Sequence, residues 1–323
     1  MCRADAGKRT SSSRRATGDE QSESVASTVR QKSSASFREY STHFFVGGAG
    51  GLAQKGDRDY ILISLPRRCA HIMNESIFPK FDLNSAKSAL VVQAHPDDAE
   101  IGAGGTIAKL AARGVEINYL TVTDGRAGTH TRTVYPEQLV PIRRAEEQAA
   151  MKVLGAKNAY WLDFRDGELE PSISVRGGIM RVIRTLKPEV VITLDPWLPY
   201  EAHPDHRHAG MMASEAALLS QWPYIHSEHY SDGLQSTKVQ AIAFMITSKP
   251  NTFIDVTDTF DKKLSAVKCH WSQFGEDWSN FSQLLRAQAE RDAKRAGMSG
   301  GLAEALKVLS TAQLHVNQNA EYE

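Results

Sequence analysis

Two runs of this sequence, Ala89-Leu90-Val91-Val92 and Val190-Val191-Ile192-Thr193-Leu194, are apolar almost throughout. A strand with one face in water alternates apolar and polar residues, whereas a continuously apolar strand must be covered on both faces. Around these runs a strand, loop, helix pattern repeats. Strands are expected at 89–92, 117–122, 160–162, 190–194 and 241–246, and helices at 101–112, 141–154, 175–186 and 206–220. Arg113-Gly114 and Gly155 close two of the helices, Pro141 opens one, and Pro188 stops another. The alternation predicts an α/β fold: a Rossmann-like, doubly wound, mostly parallel sheet with helices on both faces and extra helices toward the C-terminus. Right-handed crossovers give the strand order 3-2-1-4-5, and ligands bind such sheets where the winding reverses, between strands one and four.

The composition changes near residue 73. Ser11-Ser12-Ser13-Arg14-Arg15, Ser33-Ser34-Ala35-Ser36 and Gly47-Gly48-Ala49-Gly50-Gly51 precede it, with little apolar periodicity. Such a segment buries too little surface to offset its ordering entropy, so residues 1–72 are expected to be a disordered extension. Residues 73–323 are then the folded domain, with Met73 a candidate start site. The formal charge is zero, from 38 basic and 38 acidic residues, so the positive field that nucleic-acid binding needs is missing. No apolar run approaches the ~20 residues that span a bilayer, so no membrane partner is expected. Cys2, Cys69 and Cys269 form no CxxC pair, so neither a disulfide framework nor a thiolate zinc site is suggested. A reducing, cytoplasmic location follows as the expectation.

The chemistry concentrates in two segments, His95-Pro96-Asp97-Asp98-Ala99-Glu100 and His203-Pro204-Asp205-His206. Each follows a buried strand, and those strands are one and four of the expected sheet, so residues over a hundred positions apart meet at one crevice. A catalytic zinc site takes three protein ligands from His and Asp or Glu and leaves a position open to water. The first segment can supply His95 and an aspartate, and the second His206. A carboxylate beside a metal-bound water can take its proton, and a protonated histidine can stabilise the oxyanion and protonate the leaving amine. An aspartate two residues from that histidine, Asp205 beside His203, could hold it charged. His208 does not share a helix face with His206 and is not expected to be a ligand. The glycines of Gly102-Ala103-Gly104-Gly105 do not follow the GxGxxG spacing, and carboxylates stand where a pyrophosphate would sit. They are expected to let the helix approach the metal loop.

The segments 94–100, 102–110 (GAGGTIAKL), 121–125 (TVTDG), 143–155 (RRAEEQAAMKVLG) and 203–206 together resemble the LmbE-like (PIG-L) family of zinc-dependent N-acetylglucosamine deacetylases, from about residue 88 to 275. Residues 160–166, 195–201, 249–251 and 254–258 make the chain most similar to the diacetylchitobiose deacetylases. The resemblance implies that His95, Asp98 and His206 bind Zn2+, and the choice of Asp98 over Asp97 as ligand comes from it alone. It implies that Asp97 is the general base and His203, supported by Asp205, the acid or oxyanion stabiliser. Arg143 corresponds to an arginine that contacts substrate, although an Arg143–Glu146 surface ion pair is the plainer reading. Asp124, at the end of strand two, and Trp197 and Tyr200, before His203, are candidate sugar contacts, and Glu100 is expected to orient a loop. The implied activity is hydrolysis of an N-acetyl group on diacetylchitobiose or N-acetylglucosamine, by a homo-oligomer, trimer or hexamer. Deacetylation of a conjugate, such as a malate-, inositol- or phosphatidylinositol-linked N-acetylglucosamine, is the alternative. A non-catalytic nucleotide- or sugar-binding module is the alternative of another class.

Overall fold

The computed structural model describes residues 78–323, so the expectations for 1–72 and for Met73 lie outside the described residues. Five parallel strands form the centre of the sheet: β1 (Ser88–Gln93), β2 (Glu116–Thr123), β3 (Ala159–Phe164), β4 (Val190–Leu194) and β5 (Ala241–Met245). Their order is β3-β2-β1-β4-β5, with Val91 of β1 level with Tyr119 on one side and Ile192 on the other. β4 is buried along its whole length and β1 at all but its first residue, as continuous apolar runs require. Each buried Val, Leu and Ile side chain among them contributes about 1.5–3 kcal/mol by leaving water.

The connecting helices are α1 (Asp98–Ala112), α2 (Pro136–Leu154), α3 (Ile173–Leu186) and α4 (Pro204–Leu219). α1 and α2 pack together on one face, and α3 packs with α4 on the other, as right-handed crossovers in opposite directions from β1 demand. Local chemistry sets the ends. The Ser172 hydroxyl accepts the Val175 N–H at 3.2 Å to start α3, and Lys187, in the left-handed region before Pro188, ends it.

Beyond β5 the chain adds β6 (Thr252–Asp255), α5 (Phe260–Cys269), α6 (Trp271–Phe274), α7 (Trp278–Arg295), β7 (Ala303–Ser310) and α8 (Thr311–Val316). The helices there were expected, but the two strands were not. β7 runs antiparallel between β5 and β6, which extends the sheet to seven strands. Its sequence, AEALKVLS, is built largely from helix formers, and pairing with β5 overrides that preference. α2 also begins five residues before the expected Pro141. Pro136 takes the first turn and the Gln138 side chain returns to the Tyr135 N–H at 3.1 Å. No helix among the described residues is long and apolar enough to cross a membrane.

Glycines 102, 104 and 105 serve a different neighbour from the one expected. A Cβ on Gly105 would lie 2.8 Å from Val256 Cβ, one on Gly104 3.1 Å from Lys263, and one on Gly102 2.7 Å from the Met245 sulfur. They let α1 close onto β5 and the β6–α5 region, because that face of α1, not the face toward the metal loop, is the crowded one.

Candidate metal centre

The loop leaving β1 is held by its own aspartate. Asp98 opens α1, and its Oδ2 accepts the N–H groups of Ala94 at 3.0 Å and His95 at 2.8 Å. Its other oxygen, Oδ1, lies 3.2 Å from His206 Nε2, and His95 Nδ1 is 3.7 Å from Oδ2. His206 stands in the first turn of α4, so two neighbouring strand ends deliver two imidazoles to one carboxylate. The three donor atoms fall within 4.8 Å of one another. Two histidine nitrogens and one carboxylate oxygen are a suitable set for a divalent cation with a position left for water.

Further contacts aim the imidazoles. His206 Nδ1 faces Glu201 Oε2 at 3.3 Å, and Glu201 Oε1 accepts the His203 N–H at 2.8 Å. His95 Nε2 faces Asp205 Oδ2 at 3.2 Å and Asp166 Oδ1 at 3.1 Å. Carboxylates on the far nitrogen fix the tautomer and raise the basicity of a metal-binding histidine. Asp166 and Glu201 were not assigned roles from sequence. Both lie in segments similar to the diacetylchitobiose deacetylases, and their spacing from the histidines carries no signal.

The geometry sends the hydrogen bonds of Asp205 away from His203. Its carboxylate is fully buried and taken by His95 Nε2, the Gly167 N–H at 2.7 Å and the Leu169 N–H at 3.1 Å, so it reaches His203 through its charge alone. The Asp205 side chain opens toward β1 and the β3–α3 loop. His203 instead stacks on His206, with ring centroids 4.6 Å apart, and meets His95 edge-on at 4.6 Å. Its Nδ1 is buried without a hydrogen-bond partner among the described residues. Burial first, then the His95 and His206 charges, lowers its pKa below the usual imidazole value.

Asp97 is buried with φ at 126°, a strained conformation for a residue with a side chain. Arg143 over-determines it: Nη2 donates to Pro96 O at 2.8 Å and Asp97 Oδ2 at 3.0 Å, and Nη1 donates to Gly125 O at 3.0 Å. Burial pushes the Asp97 carboxyl up, against the pull of Arg143. For Asp98 burial is outweighed by His206 and His95, which hold it well below the usual range. Burial lowers His206 and Asp98 raises it, leaving it at about 9.

The remaining expected residues divide. Arg143 is buried and spends Nη2 on the loop leaving β1 and Nη1 on Gly125 beyond β2; the surface pair with Glu146 does not form, since Glu146 accepts from Ser272. Asp124 is buried at the end of β2, paired with Arg126 Nε at 2.6 Å. Trp197 is half-exposed, edge-on to Phe244 at 5.5 Å, and lines a cavity of about 410 Å³ with Asp195 and Lys249. Tyr200 is fully exposed. Glu100 pairs with His270 at 3.2 Å, both fully buried, and ties α1 to the α5–α6 junction. His208 faces Leu169 O at 2.6 Å and is not one of the donors.

Comparison with known proteins bears on this geometry. The family model described as PIG-L, GlcNAc-PI de-N-acetylase, matches residues 90–217. The chain is 41% identical to a protein of Thermococcus kodakarensis named diacetylchitobiose deacetylase, over 72% of this chain and 87% of that one. It is 29% identical to a Bacillus cereus protein named probable N-acetyl-alpha-D-glucosaminyl L-malate deacetylase 2, over 58% of this chain and 84% of that one. The solved N,N'-diacetylchitobiose deacetylase of Pyrococcus horikoshii, bound to an inhibitor, superimposes with a TM-score of 0.73 at 34% identity, covering 80% of this chain and 98% of that one. With the parallel sheet and the donor set at its switch point, these matches place the chain in the PIG-L, or LmbE-like, family of N-deacetylases.

Proposed function

We propose that the chain hydrolyses the acetamide of an N-acetylglucosamine unit, with N,N'-diacetylchitobiose as substrate and Zn2+ as the metal, releasing acetate and the free amine. The observation that carries this reading is the convergence of His95, Asp98 and His206 beside a buried carboxylate, Asp97, that is not one of the three. A divalent cation bound there acidifies water and polarises the amide carbonyl. Asp97 takes the proton of the attacking water, and its raised pKa suits it to pass that proton to the departing nitrogen. His203 donates a ring N–H to the developing oxyanion. Asp205 and Asp166 orient His95, Glu201 orients His206, and Arg143 keeps Asp97 pointed into the crevice.

The choice of a neutral sugar rests on charge. Arg143 and Arg126 are each paired with an aspartate, and Arg207 donates to the Glu201 carbonyl at 2.6 Å. Anionic conjugates such as the malate-linked sugar gain least from cations already neutralised. A cytoplasmic homo-oligomer, trimer or hexamer, is part of the same reading and rests on the family resemblance. Acetate release measured in parallel from diacetylchitobiose, N-acetylglucosamine, and malate- and inositol-linked N-acetylglucosamine tests the substrate. The highest kcat/KM is expected for diacetylchitobiose; a higher value for a conjugate rejects that choice. No acetate from any of them, with or without added Zn2+, rejects the enzymatic reading in favour of a binding module.

A further inference from the structure

Helix α2 reaches the metal loop at two points. Arg143 and Glu147 are four residues apart, so they share a face, and both are buried. Arg143 grips the far side of the loop at Pro96 and Asp97. Glu147 grips the near side through Gln93, the last residue of β1. Gln93 Nε2 donates to Glu147 Oε1 at 3.0 Å and to Thr121 Oγ1 at 2.9 Å, and Gln93 Oε1 accepts the Ala99 N–H at 2.9 Å. The Gln93 side chain thus bridges residues 94–98, joining the residue before the loop to the first turn of the helix after it.

Glu147 decides which way that bridge points. Its Oε1 also accepts the Thr121 hydroxyl at 2.5 Å, and its Oε2 accepts the Trp161 indole N–H at 2.8 Å. Three donors converge on one carboxylate. A reversed Gln93 amide would set an oxygen against that carboxylate and an NH2 group against the Ala99 N–H. Both contacts are repulsive in a buried setting, where an unpaired polar group is costly. The carboxylate therefore holds the amide in the single orientation that closes the loop.

We propose that Glu147 is a positioning residue of the metal centre, acting through Gln93 on the loop that carries His95, Asp97 and Asp98 without touching metal or substrate. The proposal rests on the assignment of His95, Asp98 and His206 as the metal donors. Zn2+ affinity of the full chain, by competition with a chelating indicator, and kcat and KM for diacetylchitobiose are compared in wild type, Glu147→Gln, Gln93→Met and the double variant. Each single variant is expected to bind Zn2+ about tenfold more weakly, with reduced kcat and KM within about twofold, as loss of outer partners does at metal sites. The double variant is expected to be no worse than the weaker single one, because both act through one chain of contacts. Zn2+ affinity of Glu147→Gln within about twofold of wild type, or multiplicative losses in the double variant, overturns the proposal. If Glu147→Gln does not fold, Trp161→Phe carries the test: it removes one donor from the carboxylate at a half-buried edge, and unchanged Zn2+ affinity overturns the proposal. Should the Zn2+ affinities follow the expected pattern while no protein releases acetate, the substrate reading fails and the positioning role stands. A wild-type chain that binds no Zn2+ overturns both.

Discussion

Replacing Asp205 by asparagine separates two roles for that carboxylate. Oδ2 receives His95 Nε2 at 3.2 Å and the Gly167 N–H at 2.7 Å, and Oδ1 receives the Leu169 N–H at 3.1 Å. An asparagine keeps one of these oxygens and turns an NH2 group toward at least one buried N–H. The cheapest arrangement gives up the Leu169 bond. The loss of one bond to a charged group, about 1.5–3 kcal/mol, together with a stranded buried donor, about 1–3 kcal/mol, predicts destabilisation of roughly 2–4 kcal/mol once local relaxation is allowed. His95 keeps Asp166 on its far nitrogen but loses the second of its two negative partners there, so Zn2+ affinity should fall about tenfold, the low end of the usual cost of such a loss. Urea unfolding of the metal-free chain gives the first quantity and chelator competition the second. Unchanged Zn2+ affinity, with the loss confined to kcat and to the pH-rate limb set by His203, would refute the assignment of Asp205 to His95.

Glu147 supplies a pH test of its environment. Burial raises its pKa from 4.5 to about 7. A carboxyl raised on folding contributes stability that is full below its unfolded pKa and is lost as pH rises through its folded pKa, here between about 4.5 and 7. The term is roughly 3 kcal/mol. The metal-free Glu147→Gln variant should show a flatter Tm against pH over that window, and a curve parallel to wild type counts against the assignment. Gly105→Ala places a Cβ 2.8 Å from Val256 Cβ. Overpacking of about 1–3 kcal/mol should lower Tm by calorimetry, and an unchanged Tm contradicts the close approach of α1. Arg143→Lys keeps the charge but loses the fork that serves Pro96, Asp97 and Gly125 together. A fall of about 100-fold in kcat is expected, and turnover near wild type shows that Asp97 holds its geometry without that fork.

The parallel half of the fold is legible because its signals are local. The apolar runs of β1 and β4, the closing residues of α1 and α2, and right-handed crossovers are enough to bring His95 and His206 to one crevice. What escapes the sequence depends on partners far along the chain. β7 is built largely from helix formers and becomes a strand by pairing with β5. Asp205 lies next to a catalytic candidate in sequence, yet its acceptors face the Gly167–Leu169 backbone and β1. Glu147 carries no recognisable pattern, since Gln93, Thr121 and Trp161 come from three different strands. Adjacency in sequence is a poor guide to which histidine a carboxylate serves; the direction of the side chain decides it.

The central claim is that Asp97 works on a water activated by a metal that Asp97 does not bind. Asp97→Asn tests it most directly, with metal content and acetate release from diacetylchitobiose measured on the same Zn2+-loaded preparation. Metal content equal to wild type with turnover reduced about 10²- to 10⁴-fold, the range for loss of a general base, is the predicted result. Full turnover, or loss of the metal itself, would contradict the account.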